Sequence, residues 1–260
     1  MSASHPGEGA GIPRSTPSRK LSNAATMQCV RSAVLRALFR YPVKSMLGES
    51  LAAVTVEERG LMGDRTFAVS DAQGRVGSGK TTRRFRRMDG LVDFRARLDG
   101  SGVEVIGPEG RPYAVTDPAL ADLLTERFAM PVTLRSTDGV EFYDEGPVSV
   151  VTTASVASLS QAHGALVDVR RFRANLVVDL GTTGYPEDDW VGKEISVGDV
   201  VLRGRNSLQR CVVITLAQEE LAEDRQLLHT VGQAHGLNLA LVADVLRPGT
   251  VRVGDHVCVR

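Results

Sequence analysis

From Ser32 onward the apolar positions come in short runs of about four to eight residues, broken by Gly, Pro, Asp and Ser, a spacing that favours strands over long helices. Strands are expected at Ala33–Phe39, which Tyr41-Pro42 ends, at Leu51–Val56 and at Arg65–Val69. A hairpin is expected from Leu91–Leu98 and Val103–Ile106 around Asp99-Gly-Ser-Gly102. Further strands are expected at Val132–Leu134, Val148–Val151, Val200–Leu202, Val212–Leu216 and Leu239–Leu246. Leu176–Leu180 is apolar enough to be buried on both faces.

Three stretches carry helical spacing. Pro118–Ala129 has Asp117 as N-cap, Pro118 at the first helical position and Leu120, Leu123, Leu124 and Phe128 on one face. Ala154–Ala162 is stopped by Gly164, and Gln218–Ala234 places Glu219, Glu220, Glu223 and Asp224 near its beginning, where the helix dipole favours anions. Many short strands with few separated helices predict an α+β fold that is mostly β. Residues 1–31, rich in Gly, Pro and Ser and without periodicity, are expected to be a disordered tail.

Composition adds little specificity. The chain has 260 residues, 42% hydrophobic and 24% charged, with a formal net charge of zero, so no global field draws it to nucleic acid or membrane. No run is long and apolar enough for a membrane helix, and the N-terminus lacks the apolar core of a secretory signal. Three widely spaced cysteines (Cys29, Cys211, Cys258) show no zinc or iron–sulfur spacing and no disulfide framework, which suits a reducing, cytoplasmic setting.

Candidate chemistry collects around Cys211. Arg203, Arg205, Gln209 and Arg210 lead into it, and the β-branched run that follows reads as a buried strand. A thiol beside positive charge favours the thiolate, which binds soft metals or acts as a nucleophile. Taken alone, Cys211 reads first as a small buried apolar residue capping a strand, since free cysteine is among the most buried residue types.

A second stretch, Gly74-Arg-Val-Gly-Ser-Gly79-Lys80-Thr81, matches the phosphate-loop expression G-x-x-x-x-G-K-[ST]. That motif requires a strand directly before the first glycine and an amphipathic helix after the lysine. Here a polar turn precedes it and Thr82-Arg-Arg-Phe-Arg-Arg-Met follows, so nucleotide hydrolysis is the weakest reading. From Arg75 to Arg97 there are eight basic residues against Asp89 and Asp93: a charged edge strand, or a site for an anionic group or an acidic protein. With Phe85 as the single aromatic within Arg83–Arg87 there is no stacking ladder for nucleic acid.

Seven short motifs then occur in the order found in MOSC proteins, named for the C-terminal domain of molybdenum-cofactor sulfurase. They are Tyr41-Pro-Val-Lys44-Ser45, Gly60-Leu-Met-Gly-Asp64-Arg65, Ala154-Ser155-Val-Ala-Ser-Leu159, Arg171-Phe172-Arg173-Ala-Asn175-Leu, Asp189-Trp190-Val-Gly, Arg210-Cys211 and Arg247-Pro-Gly-Thr-Val-Arg-Val-Gly-Asp255. The chain after residue 32 resembles that family, in particular its amidoxime-reducing type. The resemblance implies an N-terminal β-rich domain (32–140) packed on a C-terminal mixed β-barrel, the MOSC domain (141–260), with a molybdenum cofactor (molybdopterin) between them. It makes Cys211 the molybdenum ligand at the catalytic centre. It places Lys44, Ser45, Arg65, Arg173, Asn175 and Arg210 around the cofactor's phosphate and pterin, with the helix-start hydroxyl of Ser155 near the same group.

The activity implied is two-electron reduction of small N-hydroxylated or N-oxide substrates, with electrons from a separate donor protein for which the Arg83–Arg87 patch is a dock. Sulfur transfer through a Cys211 persulfide, and a cofactor-binding module without turnover, are the alternatives. Two departures bear on substrate. The loop after the cysteine reads Ile214-Thr-Leu-Ala-Gln-Glu-Glu-Leu-Ala-Glu-Asp224 instead of the family's Thr-Thr-Val-Asp type, and Ala174 replaces the usual proline before the asparagine.

Overall fold

Leu176-Val-Val-Asp179 has apolar side chains on both faces, and the sheet that contains it is covered on both. The computed structural model describes residues 33–137 and 142–260, so the expectation for residues 1–31 lies outside it. Seven strands form a closed barrel: β1 (Ala33–Arg40), β2 (Val148–Thr152), β3 (Leu176–Asp179), β4 (Glu194–Val197), β5 (Val200–Gln209), β6 (Asn238–Arg247) and β7 (His256–Val259). The order is β3-β2-β6-β5-β4-β7-β1, and β1 pairs back onto β3 to close the ring. Only β2 and β3 run parallel, joined by α2 (Thr153–His163) as the crossover; the other barrel pairs are antiparallel.

Alternation along β2 and β3 explains both cores. Val148, Val150, Leu176 and Val178 point into the barrel with Leu38, Trp190, Ile195 and Leu241. Val151 and Val177 point outward and are covered by α2 and α3 (Leu227–His235) through Leu159, Leu227 and Val231. Full burial of such side chains contributes roughly 1.5–3 kcal/mol each.

The N-terminal part has its own core. A four-stranded sheet (Val132–Ser136, Phe67–Asp71, Val76–Ser78, Phe85–Arg87) and a three-stranded one (Arg95–Asp99, Gly102–Ile106, Pro112–Ala114) pack with α1 (Pro118–Phe128) around Val69, Phe94, Leu120 and Leu124. As expected, Asp117 accepts the Ala119 N–H at 2.9 Å and Pro118 opens α1. The two parts interlock, because β1 belongs to the barrel although it begins the described chain, and Gly249–Arg252 pairs with Ala53–Glu57.

Four expectations are corrected. Val212–Thr215 is a 3-10 turn, because Ile214 packs against Phe172, Leu227 and Leu239 in place of a ladder partner. Residues 218–226 are loop, and α3 starts only at Leu227. Leu91 lies in a 3-10 turn (Asp89–Asp93), so the hairpin's first strand is Arg95–Asp99. Cys258 on β7 is disulfide-bonded, so the cysteines do not all stay unpaired; Cys211 is free. Among the described residues no helix is long and apolar enough to cross a membrane.

The approach to the site runs along β5, which passes close to Trp190 at Gly204. A Cβ there would lie 2.1 Å from the Trp190 carbonyl oxygen, while Gly204 also bonds Gly192 and Lys193 through its backbone. Gly204→Ala is expected to cost roughly 1–3 kcal/mol, as overpacking of a well-filled core does. Urea denaturation of the variant checks it: an unchanged midpoint contradicts the close approach.

Candidate functional site

Sequence order scatters the expected residues over 168 positions, from Lys44 to Cys211, counted inclusively (211 − 44 + 1). The fold brings most of them to one cleft, of about 890 Å3 counted out to its mouth, between the barrel and the N-terminal sheets. Lys44, Ser45, Arg65, Arg173, Asn175, Arg210 and Cys211 all line it.

Three of these residues hold backbones that non-glycine residues rarely adopt. Ser45 (φ 67°), Arg65 (φ 49°) and Arg173 (φ 51°) are left-handed, at a cost of about 1 kcal/mol or more each. Specific contacts hold them there. Ser45 Oγ donates to the Gly77 carbonyl at 3.0 Å, the Arg65 N–H donates to the Tyr41 carbonyl at 2.8 Å, and Arg173 ends the Val169–Phe172 turn with its N–H on the Arg170 carbonyl at 3.0 Å.

Tyr41 organises the guanidiniums. Arg65 lies over its ring at 5.1 Å and Arg173 at 4.3 Å. Asp64, fully buried, accepts the Tyr41 backbone N–H at 2.7 Å and pairs with Arg65. Burial works against the charge on Arg65, but Asp64 more than offsets it and raises its pKa. Arg173 has no such partner, and desolvation lowers it to about 10.

Arg210 donates Nε to the Leu239 carbonyl at 2.9 Å and Nη1 to the Phe172 carbonyl at 3.0 Å. Burial lowers it, too, to about 10, with the Cys211 and Glu187 charges acting in the opposite direction. Nη2 of Arg210 and both Nη atoms of Arg173 are buried without a protein hydrogen-bond partner. A buried unpaired donor costs about 1–3 kcal/mol, more when charged, so these three nitrogens call for an anion.

Lys44 completes the cationic wall. It is 3% exposed, bridges to Asp144 at 3.1 Å and sits over the Phe85 ring at 5.0 Å. Desolvation lowers it to about 8, against the pull of Asp144. Burial pushes the Asp144 carboxyl up, but Lys44 and Lys80 together hold it below its usual value.

Two expected residues serve the scaffold. Asn175 Oδ1 accepts from the Ser149 N–H at 3.1 Å and hydroxyl at 2.9 Å, and Nδ2 donates to the Phe39 carbonyl at 3.3 Å, so its amide stitches β1, β2 and β3. Ser155 does not line the cleft: its hydroxyl is buried at the start of α2, bonded to Thr152 at 2.9 Å and to the Glu187 carboxylate. Burial raises the pKa of Glu187, and the two hydroxyls act against that shift.

Others went unrecognised in the sequence. Tyr41 and Asp64 lay inside the quoted motifs, where only their neighbours carried obvious chemistry. Ser78 and Lys80 belong to the phosphate-loop lookalike, which holds one short strand (Val76–Ser78) and no helix; both line this cleft, and Gly79 between them packs on Val213, a Cβ there falling 2.5 Å from Val213 Cγ2. Asp144 had no sequence signal. Cys211 is half-buried and begins the Val212–Thr215 turn. Among the described residues, no group of three or more His, Cys, Asp or Glu stands close enough to hold a metal, so a metal at Cys211 must arrive with ligands of its own.

A closed mixed barrel interlocked with a β-rich N-terminal part, and a buried cationic cleft that ends at a free thiol, define the class: a two-part β protein with a cation-lined cleft. Residues 32–138 match the MOSC N-terminal beta barrel domain and residues 137–258 match the MOSC domain; the chain belongs to the MOSC family. It is 30% identical over 141 residues to mitochondrial amidoxime-reducing component 1 of Mus musculus, covering 49% of this chain and 41% of that protein. It is 23% identical over 254 residues to molybdenum cofactor sulfurase of Oryza sativa subsp. japonica, covering 78% of this chain and 30% of that protein. The chain therefore spans well under half the length of either relative. The crystal structure of the YUAD protein from Bacillus subtilis shares the fold, with a TM-score of 0.50 and 15% identity over 88% of this chain and 95% of that one.

Lys44 yields a pH prediction. Its folded pKa of about 8 lies below the ordinary 10.5, so the folded state carries a penalty that is complete below pH 8 and vanishes as pH rises through 10.5. Lys44→Met without bound ligand is expected to be more stable than wild type at pH 7, by up to about 3 kcal/mol. That advantage shrinks between pH 8 and 10.5, which denaturant titrations across this range measure.

Proposed function

We propose that this chain binds a molybdenum–pterin cofactor in the cleft and reduces small N-hydroxylated or N-oxide substrates by two electrons. The observation that carries the reading is the set of three partnerless guanidinium nitrogens on Arg173 and Arg210 beside the free thiol of Cys211. Buried donors of this kind fit a phosphate-bearing group, and a thiolate is a soft donor for a metal already held by sulfur. The named relatives, an amidoxime-reducing component and a molybdenum cofactor sulfurase, support the same cofactor class.

Arg173, Arg210, Lys44 and Arg65 would hold the anionic end, with Ser45 and Ser78 offering hydroxyls on the same wall. Cys211 would ligate the metal. The bound cofactor supplies the two-electron redox chemistry. Reduction of an N-hydroxyl group consumes two electrons and two protons and releases water, so an electron-donor protein is required. Arg83, Arg84 and Arg87, exposed on and beside the edge strand Phe85–Arg87, offer an acidic donor a dock. Val213 and Ile214 line the cleft together with Cys211, and Gly79 packs on Val213.

Metal analysis of protein from a molybdenum-replete host is expected to give stoichiometric molybdenum, lost in Cys211→Ala and reduced at least tenfold in Arg173→Met. Benzamidoxime turnover with reduced viologen then tests the activity, and zero turnover in a molybdenum-loaded sample rejects the reductase reading. A metal-free protein that accumulates a persulfide on Cys211 supports sulfur transfer instead.

A further inference from the structure

A second cavity, of about 610 Å3 counted out to its mouth, shares Arg173 with the cleft but is lined by neither Cys211 nor Lys44. Phe39, Tyr41, Leu47 and Leu221 give it an apolar side. Its polar side combines residues of the N-terminal part with the unusual loop after the cysteine. The charged groups there mostly satisfy one another: Glu49 accepts from Arg40 at 2.9 Å and from the Leu98 N–H at 2.8 Å, and Glu219 takes Arg170 at 2.9 Å and also Arg95.

What remains partnerless is a set of donors. Gln218, 3% exposed, has no partner for Nε2, and neither terminal nitrogen of Arg173 has one. Among the described residues no buried acceptor lining this cavity is left in that state. Arg173 and Glu219 both hold left-handed backbones, each at φ 51°, and such strain collects where a ligand is clamped.

We propose that this cavity is a second ligand site, which takes a small carboxylate on an apolar body through Arg173 and Gln218. A guanidinium and an amide N–H together match a carboxylate's two oxygens, and charge-assisted bonds of this kind are the stronger ones. One unmatched positive charge suits a monoanion, whereas a dianion would leave a charge buried unpaired. The apolar walls suit an aromatic or aliphatic body. Arg173 is shared with the cleft, so an anion held there and a carboxylate held here compete for the same two terminal nitrogens.

Calorimetric titration of benzoate into the full chain is the test. One site per chain is expected. Its affinity falls at least tenfold in Gln218→Leu and is lost in Gln218→Glu, which places a carboxylate beside Arg173; Lys80→Met, in the main cleft, leaves it unchanged. Thermal melts identify any variant that fails to fold, and the other variant then decides. No benzoate binding overturns the proposal, as do equal binding of neutral benzamide, affinity unchanged in the folded Gln218 variants, or loss in Lys80→Met instead.

Discussion

The fully buried carboxylate of Asp64 is the contact on which the site depends. It fixes the Tyr41 backbone and neutralises Arg65, so two guanidiniums can lie over one tyrosine ring with only one of them compensated. Without Asp64, Arg65 and Arg173 would repel each other in a medium that screens poorly. With it, Arg173 is the member left for a ligand. Lys44, Arg65, Lys80, Arg171, Arg173 and Arg210 line the cleft against Asp144 and Glu145, so a surplus of positive charge survives after Asp64 is counted. A folded chain accepts this only where binding relieves it, which is how perturbed cations mark functional sites.

Interlocking of the two parts keeps that arrangement rigid. β1 supplies a barrel strand and leads straight into Tyr41–Ser45, so the motif is anchored in the barrel at one side. At the other, the Lys44 N–H donates to the Phe67 carbonyl of the N-terminal sheet at 2.9 Å. Asn175 ties β3 to β1 and β2 two residues beyond Arg173. The cationic groups therefore sit on short links between two packed cores, and this placement is what holds a preorganised site within tight tolerances.

Much of the barrel was legible because its strands bury both faces or alternate cleanly: Val148–Val151, Leu176–Leu180 and Leu239–Leu246 fall within or beside the observed β2, β3 and β6. The helix caps at Asp117 and Gly164 were legible from local chemistry alone. Val212–Thr215 was not, since a short β-branched run looks the same to periodicity whether a ladder or a helix layer buries it. The acidic start of the expected 218–234 helix misled for another reason. Arg170 draws in Glu219 and Glu220, and the segment is held as a loop by contacts from far away in sequence.

The same contacts explain why the site's ends differ in how far sequence could describe them. Cations at the anionic end sit in short ordered motifs, and each motif encodes its own turn. Beyond Cys211 the backbone is set from outside: Arg171 donates to the carbonyls of Ile214 at 3.3 Å, Leu216 at 3.1 Å and Ala222 at 2.6 Å, spanning the whole departing loop with one buried side chain. Three charge-assisted bonds to backbone oxygens constrain path and leave sequence free, so residues 216–222 can vary without disturbing the thiol. Gln218 and Glu219, carried on that loop, line the second cavity and not the cleft at Cys211. The loop's departure from the family pattern therefore acts on what lies behind Arg173 through Gln218 and Glu219, and on the cleft at Cys211 through Ile214 at its start.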